Sequence, residues 1–190
     1  MDIEIIGYIS AGLALLIYIW YVILVKRRNT TLNALSGIDV QLKRRHDLIP
    51  NLVAIASKTM EFEQKILTDI TSIRAEAIQK YNQKDANDVT KHFRIEKELA
   101  GKLSNFIVNA ENYPSIKSDT AMLEIQSSLQ DIEENLSAAR RFYNSAIMEF
   151  NTAVKIFPDN LIAKLFGFKS MPFFETENKD NLDINNILKK

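Results

Sequence analysis

An all-α protein is predicted, with a single N-terminal transmembrane helix followed by a long-helix antiparallel bundle of four-helix type. Three observations carry that expectation. Residues Ile5 to Val25 contain no charged side chain. Met122, Ile125, Leu129, Ile132, Leu136, Ala139, Tyr143, Ala146, Phe150, Ala153 and Phe157 recur in alternating steps of three and four, the seam of a left-handed helical bundle or coiled coil. Glycine numbers only 5 and proline 4 among 190 residues, and few segments show the period-two, β-branched pattern of strands.

The uncharged run is the first element. At about 1.5 Å per residue its length of about 31 Å matches the roughly 30 Å hydrocarbon core of a bilayer. Asp2 and Glu4 stand before it and Lys26, Arg27 and Arg28 close it. A secretory signal would need a basic start and a small-residue cleavage site; here the start is acidic, and Trp20-Tyr21-Val22-Ile23-Leu24 offers no such site. The basic triplet places the N-terminus outside and the C-terminal part in the cytoplasm under the positive-inside rule, and Tyr8, Tyr18, Trp20 and Tyr21 suit the headgroup regions. Gly7 with Ala11 and Ser10 with Ala14 are small pairs of the kind that let spanning helices approach.

Leu35, Ile38 and Leu42 extend a helical face from the span until Asp47-Leu48-Ile49-Pro50, where a turn is expected, with Asp47 or Asn51 as cap. A second helix is predicted over Asn51 to Tyr81, with Leu52, Ile55, Phe62, Ile66, Ile70, Ile73 and Ala77 on one face. A third covers Asn87 to Asn112, with Ile95, Leu99, Leu103, Phe106 and Ala110 as its stripe, and Tyr113-Pro114-Ser115 breaks it. The seam helix follows and Pro158 stops it. The second helix at about 46 Å exceeds the juxtamembrane helix at about 32 Å, so an upright antiparallel return would enter the membrane. A tilted bundle, a broken second helix, or a mere kink at Pro50 would each resolve this; the tilted bundle with a turn is preferred.

The resulting division is a short external N-terminus (1–4), the span (5–25), the bundle (26–160), an apolar segment packing on the bundle end (161–175) and a mobile tail (176–190). Lys plus Arg equals Asp plus Glu at 24 each, so no global field favours nucleic acid. The absence of cysteine removes disulfides and thiolate zinc sites.

Two blocks of residues carry a family resemblance. The first is Ile38-Asp39-Val40-Gln41-Leu42-Lys43-Arg44-Arg45-His46-Asp47-Leu48-Ile49-Pro50-Asn51-Leu52-Val53, with Leu24-Val25 and Arg28-Asn29 upstream. The second comprises Glu111-Asn112-Tyr113-Pro114, Leu129-Gln130, Ala139 to Asn144, Phe150-Asn151-Thr152, Phe157 to Asn160, Leu165 to Phe168 and Phe173-Phe174-Glu175. Together they resemble the LemA family over about residues 18 to 176. The resemblance implies an N-terminal anchor, a four-helix-type bundle, bacterial origin and no established enzymatic activity. Where the family usually has tryptophan before the serine of the first block, this chain has Leu35 before Ser36, which touches only local packing.

Little in the chain points to catalysis. His46 and His92 are the sole imidazoles and lack metal-ligand spacing, so solvated or helix-end positions are expected for both. Glu61 and Glu63 do not share a helical face. No catalytic, cofactor-binding or metal residue is predicted, and no cofactor. Lys43-Arg44-Arg45 reads either as a solvated face or as a contact for anionic headgroups, about 1 kcal/mol per basic residue. The apolar segment ending in Phe166, Phe168, Phe173 and Phe174 either packs across the bundle end or meets a partner or the interface. The leading functional expectation is a non-enzymatic scaffold or recruitment protein at the cytoplasmic face of a bacterial inner or plasma membrane, binding the bilayer, an unidentified protein and, as a candidate, further copies of itself. Rivals are an enzyme or regulator using dispersed Arg44, Asp47, Asn112, Arg140 and Asn144, and an oligomeric membrane-shaping element.

Overall fold

Helix α1 runs unbroken from Ile3 to Ala56, 54 residues, or about 81 Å at 1.5 Å per residue. The computed structural model describes residues 3–58 and 63–174. The expected tail over 176–190 and the positions of Phe62, Glu61 and Glu175 lie outside these residues. All regular structure among the described residues is helical: α1, α2 (Gln64–Ala77), α3 (Ala86–Ala110), α4 (Pro114–Lys117), α5 (Thr120–Lys155) and α6 (Asp159–Leu165).

The turn expected at Asp47 to Pro50 does not occur, because Pro50 lies inside α1. In a regular helix the N–H of residue 50 would donate to the carbonyl of His46, and proline has no N–H to give. Arg74 Nε fills that role from α2, donating to the His46 carbonyl oxygen at 2.8 Å. The orphaned carbonyl therefore keeps a partner without a break in the helix. The predicted second helix divides accordingly: Leu52 and Ile55 belong to α1, and α2 begins only at Gln64. With 14 residues, α2 reaches about 21 Å, so its return ends beside His46, well short of the apolar run. That removes the length conflict.

α1 and α5 run in opposite directions and pack closely. Thr31 Oγ1 comes within 3.4 Å of the Ala146 carbonyl, and 14 residues later in α1 Arg45 meets Glu133 at 2.7 Å, 13 residues earlier in α5. A side-chain hydroxyl can reach a neighbouring helix's backbone only where small residues such as Ala34 and Ala146 line the contact. α2 lies against α3 and α1. The interior divides into an end cluster built on Ile49, Leu52, Leu99, Phe106 and Leu129, and a middle cluster built on Leu35, Ile38, Leu42, Phe93, Leu136 and Tyr143.

Helix starts follow local chemistry. Asp85 accepts from the backbone N–H groups of Asn87 and Asp88, and Asp119 from those of Ala121 and Met122, satisfying donors that a helix leaves free. The predicted α5 seam is buried from Met122 to Ala153, with Ala139 half-buried. Phe157 is 73% exposed, because α5 ends at Lys155 and the chain has turned. α6 ends in a Schellman motif: Gly167 has φ 73°, Phe168 N–H donates to the Ala163 carbonyl at 2.8 Å and Gly167 N–H to that of Lys164 at 3.4 Å. Glycine adopts this left-handed conformation without a Cβ clash, and the turn sends residues 168–174 back along α5.

Candidate functional site

Three arrangements of polar and aromatic groups stand out. The first is an ionic layer inside the helices. Arg45 is 1% exposed and donates from Nη2 to Glu96 Oε2 and from Nη1 to Glu133 Oε1, both at 2.7 Å. His46 Nε2 lies 2.9 Å from Glu96 Oε1, and His92 Nε2 lies 3.9 Å from the same oxygen. Asp39 accepts from Tyr81 Oη at 2.9 Å and Gln83 Nε2 at 2.6 Å, while Tyr81 stacks on the His92 ring at 4.0 Å.

The electrostatics follow from burial and pairing. Burial alone would raise the Glu96 carboxyl, but His46 and Arg45 outweigh it and hold the group below its ordinary range. Burial pushes the His92 imidazole down, against the opposing pull of Glu96 and Asp39. Burial likewise raises Asp39, opposed by the Tyr81 and Gln83 hydrogen bonds, and raises Tyr81, with the Asp39 charge adding to the effect. The Glu96 side chain has no exposure, whereas Tyr81 and His92 at the edge of the layer line a pocket of about 150 Å³ and the Glu133 carboxylate is half exposed. The layer joins α1, α3 and α5 at one level.

This corrects two expectations. His46 and His92 are interior groups, 6% and 7% exposed, rather than solvated or helix-end histidines. Arg45 faces the core because it shares the helical phase of Leu42 and Ile49, so only Lys43 and Arg44 of the basic block are exposed.

The second arrangement holds the C-terminal segment. Asn151 gives and receives hydrogen bonds with the Met171 backbone at 2.8 and 2.9 Å. Asn144 does the same with Phe174, at 2.9 Å each way. Tyr143 Oη donates to the Pro172 carbonyl at 2.8 Å. Seven helical residues advance about 10.5 Å and three extended residues about 10 Å, so one heptad of α5 matches Met171 to Phe174 running the opposite way. Phe174 is buried against Phe93, ring centroids 4.3 Å apart, with Arg140 over its face at 4.4 Å. Phe174 is thus packed within the fold, whereas Phe173 and Phe166 are exposed and Phe168 half-buried.

The third lies where the apolar run of α1 ends. Leu24, Ala153, Ile162 and Ala163 are buried together, with Ile17, Trp20, Tyr21 and Phe168 packed around them. α6 therefore sits level with the last two turns of the run. Around it Ile156, Phe157, Leu161, Leu165 and Phe166 are all at least half exposed, a concentration of apolar surface that water-facing proteins seldom carry. Beside it a pocket of about 260 Å³ is lined by Tyr21, Arg28, Asn29, Lys84, Phe166 and Phe168, among others.

The dispersed polar residues considered for a rival enzyme do not converge. Arg44 and Asp47 are exposed one turn apart on α1, Asn112 is exposed in the turn after α3, and Arg140 and Asn144 serve Phe174. Glu96, Arg74, Asn151, Arg28 and Lys84 were absent from the sequence-predicted set. A charged residue in a 3–4 seam, as with Arg45 and Glu96, was the available signal for the first of them.

Fold and site together define a class: a protein helical throughout its regular structure among the described residues, in which one helix, α1, is long and apolar enough to cross a membrane and continues into the packed part. Residues 34–185 match the LemA family. The chain belongs to that family. It is 24% identical over 159 residues to magnetosome protein MamQ of Magnetospirillum gryphiswaldense, covering 73% of this chain and 58% of that protein. It is 24% identical over 160 residues to magnetosome protein MamQ 2 of Paramagnetospirillum magneticum, covering 74% and 59%. With protein LemA of Metamycoplasma hominis it shares 23% identity over 177 residues, 90% of this chain and 78% of that one. The match thus spans less than two thirds of the MamQ proteins' length.

Proposed function

We propose that this chain is a non-enzymatic, single-pass membrane protein whose antiparallel four-helix-type bundle stands at the cytoplasmic face of a bacterial membrane and recruits or scaffolds other proteins. One observation carries the reading. Along α1 the side chains from Glu4 to Leu16 are all exposed although mostly apolar, Ile17, Trp20 and Tyr21 are half-buried, and Leu24 is the first that is fully buried. A helix left bare over its apolar stretch and packed over its mixed stretch has two solvents, lipid for the first and a protein interior for the second. Because no break separates them, anchor and bundle move as one rod.

Lys26, Arg27 and Arg28 set the orientation under the positive-inside rule. The span over 5–25, the bundle over 26–160 and the apolar segment over 161–175 are proposed as the chain's parts, with α6 packed against the last turns of the apolar run. Exposed Lys43 and Arg44 are the part of the basic block open to a partner. The small pairs Gly7 with Ala11 and Ser10 with Ala14 stand at exposed positions of α1, which favours self-association as a second reading.

Carbonate washing of membranes tests the placement: the full chain should stay in the pellet, and release into the wash would overturn the reading. Protease treatment of sealed vesicles, with tags at either end, reads the orientation. Affinity purification in mild detergent should retain a stoichiometric protein partner, and retention of only further copies would favour the oligomeric reading.

A further inference from the structure

We propose that Arg28, Lys84 and Asn29 hold the phosphate of one anionic phospholipid at the foot of the span, a reading that rests on the membrane placement above. Arg28 ends the basic triplet one helical turn beyond Leu24, the first fully buried residue of α1. Lys84 comes from the loop between α2 and α3, held there because its neighbour Gln83 bonds Asp39 at 2.6 Å. The two cations line one pocket although they are far apart in sequence. Arg27 approaches Asp159 at 4.0 Å; neither Arg28 nor Lys84 has a carboxylate of the described residues within ion-pair distance.

Two like charges brought together without a counter-ion repel, and the arrangement is favourable once an anion sits between them. Asn29 adds an amide donor suited to a phosphate oxygen. The remaining wall is apolar: Tyr21 and Phe166 rings lie 4.6 Å apart, and Phe168 lies beneath Arg28 at 5.6 Å. A free phosphate ion would gain nothing from those rings. A phospholipid would, since its glycerol and acyl carbons would run from the pocket along Tyr21 and the exposed side chains of Leu165 and Phe166. That position, polar on one side and continuous with the apolar run on the other, is that of a headgroup at a bilayer surface.

The test uses the full chain, extracted in mild detergent and mixed with equal amounts of phosphatidylglycerol and phosphatidylcholine, with retained lipid counted by native mass spectrometry. The wild type should retain phosphatidylglycerol preferentially. R28Q/K84Q should lose about fivefold of that preference per cation, about 25-fold for the pair, with an unchanged melting temperature. K43Q/R44Q, which removes exposed cations about 23 Å further along α1, should keep it. Equal retention of the two lipids by the wild type, or equal loss in both double variants, would overturn the site. Displacement of the lipid by millimolar inorganic phosphate would overturn the lipid and leave a phosphate-ion site. A chain washed from membranes by carbonate fails the placement itself, whereas one that stays in the membrane without lipid preference fails only the site.

Discussion

Replacing Arg74 tests how a 54-residue helix accommodates an internal proline. Arg74 Nε donates at 2.8 Å to the His46 carbonyl, the acceptor that Pro50 leaves without a donor. Removing a charged hydrogen-bond donor costs about 1.5–3 kcal/mol where the acceptor is then stranded. The bond is only partly buried, so water can partly replace it, and about 1–1.5 kcal/mol is expected for R74A. P50A restores a backbone N–H to His46. In that background R74A should cost under about 0.5 kcal/mol, leaving a coupling near 1 kcal/mol between two residues that are neighbours only in the fold. P50A alone should be stabilising, since proline inside a helix costs about 3 kcal/mol relative to alanine, less the packing already adapted to the proline ring. Urea unfolding of all four full-length chains in mild detergent, followed by circular dichroism, measures the cycle. An additive cycle would refute the reasoning and assign Arg74 to packing or general charge.

Three further outcomes follow from the interior. R45M should cost about 3–5 kcal/mol because Glu96 would remain buried without its guanidinium, while E133Q, whose carboxylate is 45% exposed, should cost under about 1 kcal/mol; R45M/E96M should recover most of the loss, and equal effects of R45M and E133Q in urea unfolding would show a hydrated layer. His92 titrates below its ordinary 6.5 in the fold, under burial opposed by Glu96 and Asp39. On acidification the unfolded chain therefore takes up this proton first, so stability should fall as pH drops through and below 6.5. The depressed Glu96 carboxyl adds a further loss below its ordinary 4.5 as pH falls toward the folded value. H92Q should flatten the melting temperature between pH 7.5 and 5, and an unchanged profile would remove His92 as the cause. N151A severs both Met171 hydrogen bonds, at about 1–2 kcal/mol, and should expose residues 168–174 to limited proteolysis; unchanged cleavage would mean that Phe174 alone holds the segment.

Much of the fold was legible because it depends on period. The 3–4 spacing through Met122 to Ala153 marked a buried stripe, and the same spacing joins Leu35, Ile38, Leu42, Arg45, Ile49, Leu52 and Ala56. That second seam crosses Pro50 without a phase change, and it was the sign that the helix continues. Treating Pro50 as punctuation weighed local backbone cost above seam continuity. The same seam marked Arg45 as an interior residue, although its place in a basic triplet suggested surface. His92, Glu96 and Leu99 likewise fall on the α3 seam, so a buried charge on each of two helices was visible, but not that the two would meet.

By itself the sequence determined the helical class, the uncharged run with its flanking charges, and the stripes that each helix buries, since these rest on composition and on repeats within one segment. Tertiary structure alone supplied the donor that satisfies the carbonyl orphaned by Pro50, since Arg74 lies 28 positions from His46. It also decided that Arg45 is neutralised by Glu96 and Glu133, that Asn144 and Asn151 bind a returning backbone, and that Lys84 and Arg28 line one pocket. Each of these is a pairing between distant segments, and no periodicity within one segment encodes which partner another segment will present.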